Sequence, residues 1–420
     1  MRIESVTIQN FRGIRFMQLD FNGLVNVIIG NNGVGKSSIL NAVEILYSWL
    51  AARIKSDDGS GRSISQKDIT NGEPFCQLSM TASHEGKTAT WTLSKRRSGF
   101  RGVLKEKSNF AELRQFVADY NAKSVESDFS NWPMLMSYGV NRSVVKMQLS
   151  AEKNNIPDVA AMYDTSNFGK GINWHEMFNW YVSKEYEENS LRVHLSKEYR
   201  DVQLESIRNC IERLLPEFSN LHVAAKPIRL VVDKNGQEFD FSQLSDGEKC
   251  YIALMMDITR HITMMGGDPQ KVEQVFLIDE VDLHLHPQWQ MNVVGSLKRL
   301  FPKSQFILTS HSSLILSDLN PEDGDTLVVL DKGAKKDVST MPYGDTSNYI
   351  LQRYFGLSEI RNAEVQEKID AAADELAKDK PDLGKVKEQL EWLEKRGVRY
   401  DEAYKLNLDL KRKEKYAQGE

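Results

Sequence analysis

Residues 24–38 read LVNVIIGNNGVGKSS. Gly30, Gly35, Lys36 and Ser37 satisfy the spacing Gly, four residues, Gly-Lys-Ser, in which a glycine-rich turn closes around phosphate. Glycine permits the backbone conformations such a turn needs. The N–H groups of Gly30, Asn31, Asn32, Gly33, Val34, Gly35 and Ser38 would line its inside, and the amino-terminus of the next helix adds positive potential. Lys36 reaches the outer phosphates as a point charge, and the Ser37 hydroxyl is placed to ligate Mg²⁺. A chance Gly-rich turn would lack the flanks found here. Val25, Val27, Ile28 and Ile29 read as a buried strand, while Ile39, Leu40, Val43, Leu46, Tyr47 and Leu50 recur at helical spacing. Strand, loop and helix in register predict a site for a nucleoside triphosphate with Mg²⁺.

At 420 residues the chain has room for two or three domains, or for one domain with a large insertion. With 40% hydrophobic and 27% charged residues it reads as a globular chain. No apolar run reaches the length of a membrane span, and MRIESVTIQNFRG lacks a signal-peptide core. Cys76, Cys210 and Cys250 are widely spaced, without metal-ligand or disulfide spacing, so a reducing cytoplasm is expected. A net charge of -5 argues against a uniformly basic nucleic-acid coat but leaves a local basic face open.

Two strands, RIESVTIQNF and IRFMQLDF, lead into the phosphate loop, and KSDDGSGRSIS (55–65) reads as an exposed loop. A hairpin follows with Glu85-Gly86-Lys87 at its turn, then a helix around 108–120 and a buried strand within PMLMSYGV (133–140). Residues 150–172 have little periodicity; amphipathic helices are expected near 173–189 and 199–216. Asn235-Gly236, between alternating apolar residues, is the strongest hairpin signal in the chain. QVFLIDE and SQFILTS are short apolar runs fit for the centre of a sheet, separated by a helix in PQWQMNVVGSLKRLF, and DTLVVL is a further strand. From Asn362 onward only helices are expected, broken at Pro381. LKRKEKY, near the end, reads as a solvated basic stretch. The expected fold class is α/β, a mixed or parallel sheet flanked by helices, with a largely helical insertion and a helical C-terminal extension. The expected boundaries are 1–54 and 221–345 for two lobes of a head, 55–220 for the insertion and 346–420 for the extension.

Within VFLIDE, Asp279 at a strand's end is placed to hold the Mg²⁺, and Glu280 to polarise an attacking water. Three further fragments then form an ordered set. Leu244-Ser245-Asp246-Gly247-Glu248 resembles the signature motif of ABC-type ATPases, in the form found in the SMC, RecF and OLD-like branch. EVDLHLHP (280–287) resembles the loop that follows the catalytic Glu, and His311 in ILTSHSS stands where that class carries its switch histidine. The resemblance implies a P-loop NTPase fold of ABC type. It also implies a two-copy mechanism, in which Ser245, Gly247 and Glu248 of one copy meet ATP held by the other. Glu280 would align water, Lys36 would hold the transferring phosphate and His311 would sense it. Asp246 departs from the commoner glycine and is expected to point away. Arg12, in the IQNFRG element with which such ATPases begin, is expected near the nucleotide. Arg142 and Gln148 are candidates for the glutamine loop.

His284 and His286 allow a rival reading as transition-metal ligands, although no third ligand set accompanies them. Trp132, Trp174, Trp180 and Trp289 read as core or interface rather than base-stacking platforms. The stretch between Lys36 and Ser245 is too long for a plain transporter domain and too short for SMC coiled-coil arms. No Cys-x-x-Cys hook appears, and the segment after His311 lacks the paired acids of an OLD-type nuclease domain. SYGVNRSV, LSDGEK, EVDLHLHP and YGDTSNYILQRYFG resemble the PtuA-like ATPases of the Septu antiphage defence system. That resemblance implies homo-oligomers built from ATP-sandwich head dimers, a separately encoded HNH nuclease partner, DNA reached through the complex, and no membrane. A RecF-like repair ATPase without a nuclease, and a non-hydrolysing scaffold, are the alternatives.

Overall fold

Apolar runs of four to six residues with no polar alternation belong inside a parallel sheet covered on both faces. In the computed structural model, β3 (Val25–Gly30), β10 (Val275–Ile278) and β11 (Gln305–Ser310) are built around such runs and are buried along their whole length, including the polar Asn26, Gln305, Thr309 and Ser310. With β6 (Leu135–Tyr138), β12 (Thr326–Asp331) and β13 (Ala334–Lys336) they form a sheet in the order β13-β12-β3-β11-β10-β6. All its pairings are parallel except β12 with β13. The structure describes residues 1–100, 107–122, 129, 131–142, 163–165, 168–338, 340–357, 362–378, 380–398, 405 and 408–413.

A second, antiparallel sheet has the order β2-β1-β4-β5, from β1 (Arg2–Phe11), β2 (Ile14–Asp20), β4 (Phe75–His84) and β5 (Lys87–Arg96). Its strands alternate, as a sheet with one covered face must. Ile3, Val6, Ile8, Leu78, Met80 and Trp91 point inward and join the main core. Between the two sheets runs α1 (Lys36–Lys55), which touches strands of both and buries Ile39, Val43, Leu46 and Leu50. Trp91 is fully buried, and its indole N–H donates to the Leu46 carbonyl at 3.0 Å, so the ring carries no unsatisfied donor. The β4–β5 turn places Glu85 and Gly86 at φ 48° and 77°, as a two-residue hairpin requires. The flank α2 (Ala111–Ala122) packs on β5.

The boundary expected at residue 55 does not separate these sheets. β4 and β5, placed in the insertion by sequence, complete the sheet begun by β1, and β6 forms the edge of the central sheet beside β10. Two helices, α3 (Trp174–His194) and α4 (Val202–Leu214), lead to a three-stranded sheet, β7 (Phe218–Ala225), β8 (Ile228–Lys234) and β9 (Gln237–Asp240). The hairpin expected at Asn235-Gly236 joins β8 and β9. β7 escaped the sequence reading because a register shift between Ser219 and His222 interrupts its alternation.

After β9 comes α5 (Asp246–Met264), buried on nearly every side, and after β10 comes α6 (Pro287–Leu300). Asp257 on α5 lies in the core, bound by the Tyr138 hydroxyl at 3.1 Å, Arg260 at 3.0 Å and His261 at 3.3 Å. Burial raises its pKa, but the charges of His261 and Arg260 more than reverse this and hold the carboxyl well below its usual range. Arg260 is only 3% exposed, with Glu176 at 3.3 Å as its other acidic partner. Asp257→Asn keeps the shape and removes the charge, so it should cost about 3 kcal/mol in a urea unfolding titration. A loss below ~1 kcal/mol would mean that Glu176 alone neutralises Arg260.

The chain divides into two compact units, Met1–Asp345 and Thr346–Glu420. The second contains α7 (Ser347–Phe355), α8 (Ala363–Ala377) and α9 (Leu383–Lys395). α8 and α9 share a core of Ile369, Ala372, Leu376, Val386, Leu390 and Leu393, with Leu410 packed against it. The break expected at Pro381 is followed by Asp382, whose side chain caps α9.

Candidate nucleotide site

In an open α/β sheet, ligands bind outside the carboxyl ends of the strands. Here Gly30 ends β3, Ser310 ends β11 and is followed by His311, Ile278 ends β10 and is followed by Asp279, and Tyr138 ends β6. These strands are neighbours and parallel, so the loop, the acids and the histidine emerge on one side. Gly30 has φ 150°, and a Cβ there would stand 2.6 Å from the Leu330 carbonyl of β12, so no side chain fits. Gly35, at φ 112°, occupies the N-cap of α1, where glycine tolerates a left-handed backbone. No side chain caps this helix, and its first turn holds no acid. Its N–H groups and partial positive charge are therefore available to an anion.

Lys36 is buried, with its ammonium on the carbonyls of Gly30 at 2.8 Å and Asn31 at 3.1 Å. Burial lowers its pKa, and the nearby carboxylates of Glu280, Asp279 and Asp282 pull in the opposite direction. The side chains of Ser37 and Ser38 stand at the start of α1, Ser37 exposed. Asp279 accepts a hydrogen bond from the Thr309 hydroxyl, and its N–H donates to the Tyr138 carbonyl at 2.9 Å. The Glu280 N–H donates to the same Thr309 hydroxyl at 2.7 Å, and the Glu280 carboxylate lies 3.7 Å from His311 Nε2. Burial, then the charge of Lys36, lowers the His311 pKa and favours the neutral imidazole, while the carboxylates of Glu280, Asp282 and Asp279 pull the other way. A hard Mg²⁺ takes one or two carboxylates plus phosphate oxygens. Asp279 and the Ser37 hydroxyl are a donor set of that chemistry.

The signature stretch opens α5. Ser245 is its N-cap, in a reciprocal capping box with Glu248: Ser245 N–H and Oγ donate to Glu248 Oε2 at 2.8 and 2.9 Å, and Glu248 N–H donates to Ser245 Oγ at 3.3 Å. Glu248 also pairs with Lys234. Its carboxylate, expected at the nucleotide, is instead occupied in orienting Ser245 on its own helix. Asp246 is exposed and pairs with Lys249 at 2.9 Å, away from the capping box. A Cβ on Gly247 would stand 2.5 Å from the His284 carbonyl, so the loop after Glu280 lies directly on the first turn of α5. Among the described residues, no hydrogen bond or ion pair joins Ser245–Glu248 to Gly30–Ser38.

Arg12 donates to Asp68 at 2.8 Å and to Asn41 of α1 at 3.1 Å, with no bond to the phosphate loop itself. Arg142 is buried and bonded to main-chain carbonyls, and Gln148 lies outside the described residues. His286 caps α6 by accepting the Gln288 N–H at 3.3 Å, while His284 is exposed. Among the described residues, no group of three or more His, Cys, Asp or Glu could hold a metal ion by itself. Trp132, Trp174 and Trp180 are buried, and Trp289 packs against Tyr251 in a tilted ring pair with centroids 5.8 Å apart. Sequence reasoning missed Thr309, which bridges both acids. Its signal was a hydroxyl directly after the apolar run Phe306-Ile307-Leu308.

A family model described as AAA domain matches residues 5–221, and a second, described as AAA domain, putative AbiEii toxin, Type IV TA system, matches residues 175–317. The Retron Ec83 probable ATPase of Escherichia coli is 25% identical over 86% of this chain and 77% of its own. Septu protein PtuA of Bacillus thuringiensis is 25% identical over 86% of this chain and 85% of its own. The chain is thus similar to a Septu protein, as the sequence resemblance implied, and also to a probable retron ATPase, which that resemblance did not name. Among solved structures, the SMC head bound to the C-winged helix domain of ScpA aligns over 81% of this chain and 98% of that one, with 16% identity and a TM-score of 0.48. Among the described residues, no helix is long and apolar enough to cross a membrane.

Proposed function

The chain belongs to the AAA domain family, and on that premise we propose that it is a Mg²⁺-dependent ATPase subunit of a cytoplasmic antiphage complex, governing a separately encoded HNH nuclease that cuts DNA. The observation that supports it best is the convergence of Lys36, Asp279, Glu280 and His311 at the carboxyl ends of neighbouring parallel strands. Similarity to a Septu protein and to a retron ATPase supports the defence setting.

The amides of Gly30–Ser38 and the amino-terminus of α1 receive the phosphates, and Lys36 exchanges its two carbonyl partners for phosphate oxygens. Ser37 and Asp279 would hold Mg²⁺, which would supply positive charge beside the outer phosphates. Glu280 orients the attacking water and accepts its proton, and neutral His311, 3.7 Å away, senses the transferring phosphate. Arg12 steadies the loop side of α1 through Asn41. Ser245, exposed at the α5 amino-terminus, and the Gly247 amide complete the site of a second copy, with Glu248 holding Ser245 in place. Two heads thereby enclose two ATP molecules, and their pairing is the signal passed to the nuclease.

Co-expression of the chain with its neighbouring reading frames, followed by native mass measurement with and without ATP, tests the complex. The expected result is an HNH subunit that co-purifies, with pairing of the ATPase subunit promoted by ATP. Purification without any nuclease subunit, together with ATP-dependent DNA binding by the chain alone, would favour the RecF-like alternative instead.

A further inference from the structure

Glu280 has φ 47°, a left-handed backbone that a side chain of its size rarely adopts unless its surroundings enforce it. Two groups enforce it here. Its N–H is held by the Thr309 hydroxyl, and its carbonyl accepts from Nη2 of Arg142 at 2.6 Å. Nη1 of the same guanidinium donates to the Asp279 carbonyl at 2.6 Å and to the Gly139 carbonyl at 3.2 Å. One planar fork therefore ties the end of β6 to two successive residues of the catalytic turn, a geometry that a lysine ammonium does not reproduce. Arg142 is 2% exposed, and these hydrogen bonds go to main chain although carboxylates lie nearby. Its own backbone is fixed as well: the N–H donates to the Val140 carbonyl at 2.8 Å, and its carbonyl accepts the thiol of Cys250, on α5, at 3.2 Å.

We propose that Arg142 is a positioning residue for ATP hydrolysis, whose guanidinium fixes the backbone turn that aims the Glu280 carboxylate, from a base anchored on the signature helix α5. This rests on the reading of Glu280 as the group that aligns water. It assigns Arg142 a task other than the nucleotide contact of a glutamine loop.

The test is a mutant cycle on the full chain. Arg142→Lys should lower kcat by about tenfold or more, because small misplacements of an aligned group are costly, while the Kd for ATP stays within about twofold. In a Glu280→Gln background, the same substitution should leave the residual rate unchanged within about twofold, since no carboxylate remains to be aimed. Equal fractional losses in both backgrounds would overturn the proposal, because a merely structural arginine acts on both alike. Should Arg142→Lys fail to fold, Cys250→Ala removes the thiol that anchors the Arg142 carbonyl while leaving the guanidinium in place. A kcat loss of about threefold, again silent beside Glu280→Gln, is then expected, and a loss present in both backgrounds would overturn the proposal. Wild-type turnover by Glu280→Gln alone would instead refute the catalytic reading underneath, and the positioning role with it.

Discussion

Glu280→Gln is expected to slow ATP turnover by about 10²–10⁴-fold while leaving ATP bound, the range that a positioned general base contributes. The substitution is nearly isosteric. The backbone that presents residue 280 is held by Thr309 and Arg142 through main-chain groups, so the amide should occupy the place of the carboxylate. What disappears is the ability to take a proton from water. Nucleotide affinity should survive, because the groups that receive phosphate are Lys36 and the amides at the start of α1, and none of them depends on the Glu280 charge for its position. The neutral imidazole of His311 loses a carboxylate neighbour at 3.7 Å and keeps a polar one. Single-turnover hydrolysis and equilibrium ATP binding, measured side by side, check the result. A variant that turns over at the wild-type rate would remove Glu280 from the chemistry. A variant that loses affinity in proportion would make it a binding residue instead.

What could be read beforehand was what is local in the chain. The loop from Gly30 to Ser38 declares itself because strand, turn and helix are continuous in sequence. Asp279 and Glu280 do so because an apolar run of four residues places them at a strand's end. Hairpin turns at Glu85-Gly86 and Asn235-Gly236 were legible for the same reason, since two residues set their conformation. Pairing between distant strands was not. Alternation in β4 and β5 predicts a half-buried hairpin, but nothing in those residues says that their partner is β1, so sequence alone places them in an insertion. Hydrogen bonds across the fold were equally hidden. Glu248 sits in a recognisable motif, yet its carboxylate is held by Lys234 from the preceding hairpin and by Ser245 of its own helix cap. Arg142 stood out only as a residue following a strand. Its binding of the Asp279 and Glu280 carbonyls depends on β6 lying beside β10, which is a property of topology.

Mixing two inactive variants should restore activity if each ATP is completed by a second copy. Lys36→Ala disables the phosphate loop of the chain that carries it. Ser245→Arg places a bulky group on the exposed amino-terminus of α5, at a loss of about 1 kcal/mol in helix capping, and blocks the surface that would close on a neighbour's nucleotide. Each variant alone should be nearly inactive, because in a symmetric pair the same defect enters both sites. A hybrid pair differs: one site joins the intact loop of the Ser245→Arg chain to the intact signature of the Lys36→Ala chain, and the other carries both defects. With random pairing of equal amounts, half the pairs are hybrids with one working site, so about a quarter of wild-type turnover should return if the two sites act independently. Recovery well below that, in hybrids isolated by two affinity tags, would mean that both sites must fire together. No recovery in verified hybrids that still bind ATP would leave two readings. Either the two sites are strictly interdependent, or loop and signature act within one chain. ATP-dependent cross-linking between cysteines placed at Ser38 of one copy and Ser242 of the other separates them, since only the shared-site arrangement brings those positions together across a pair.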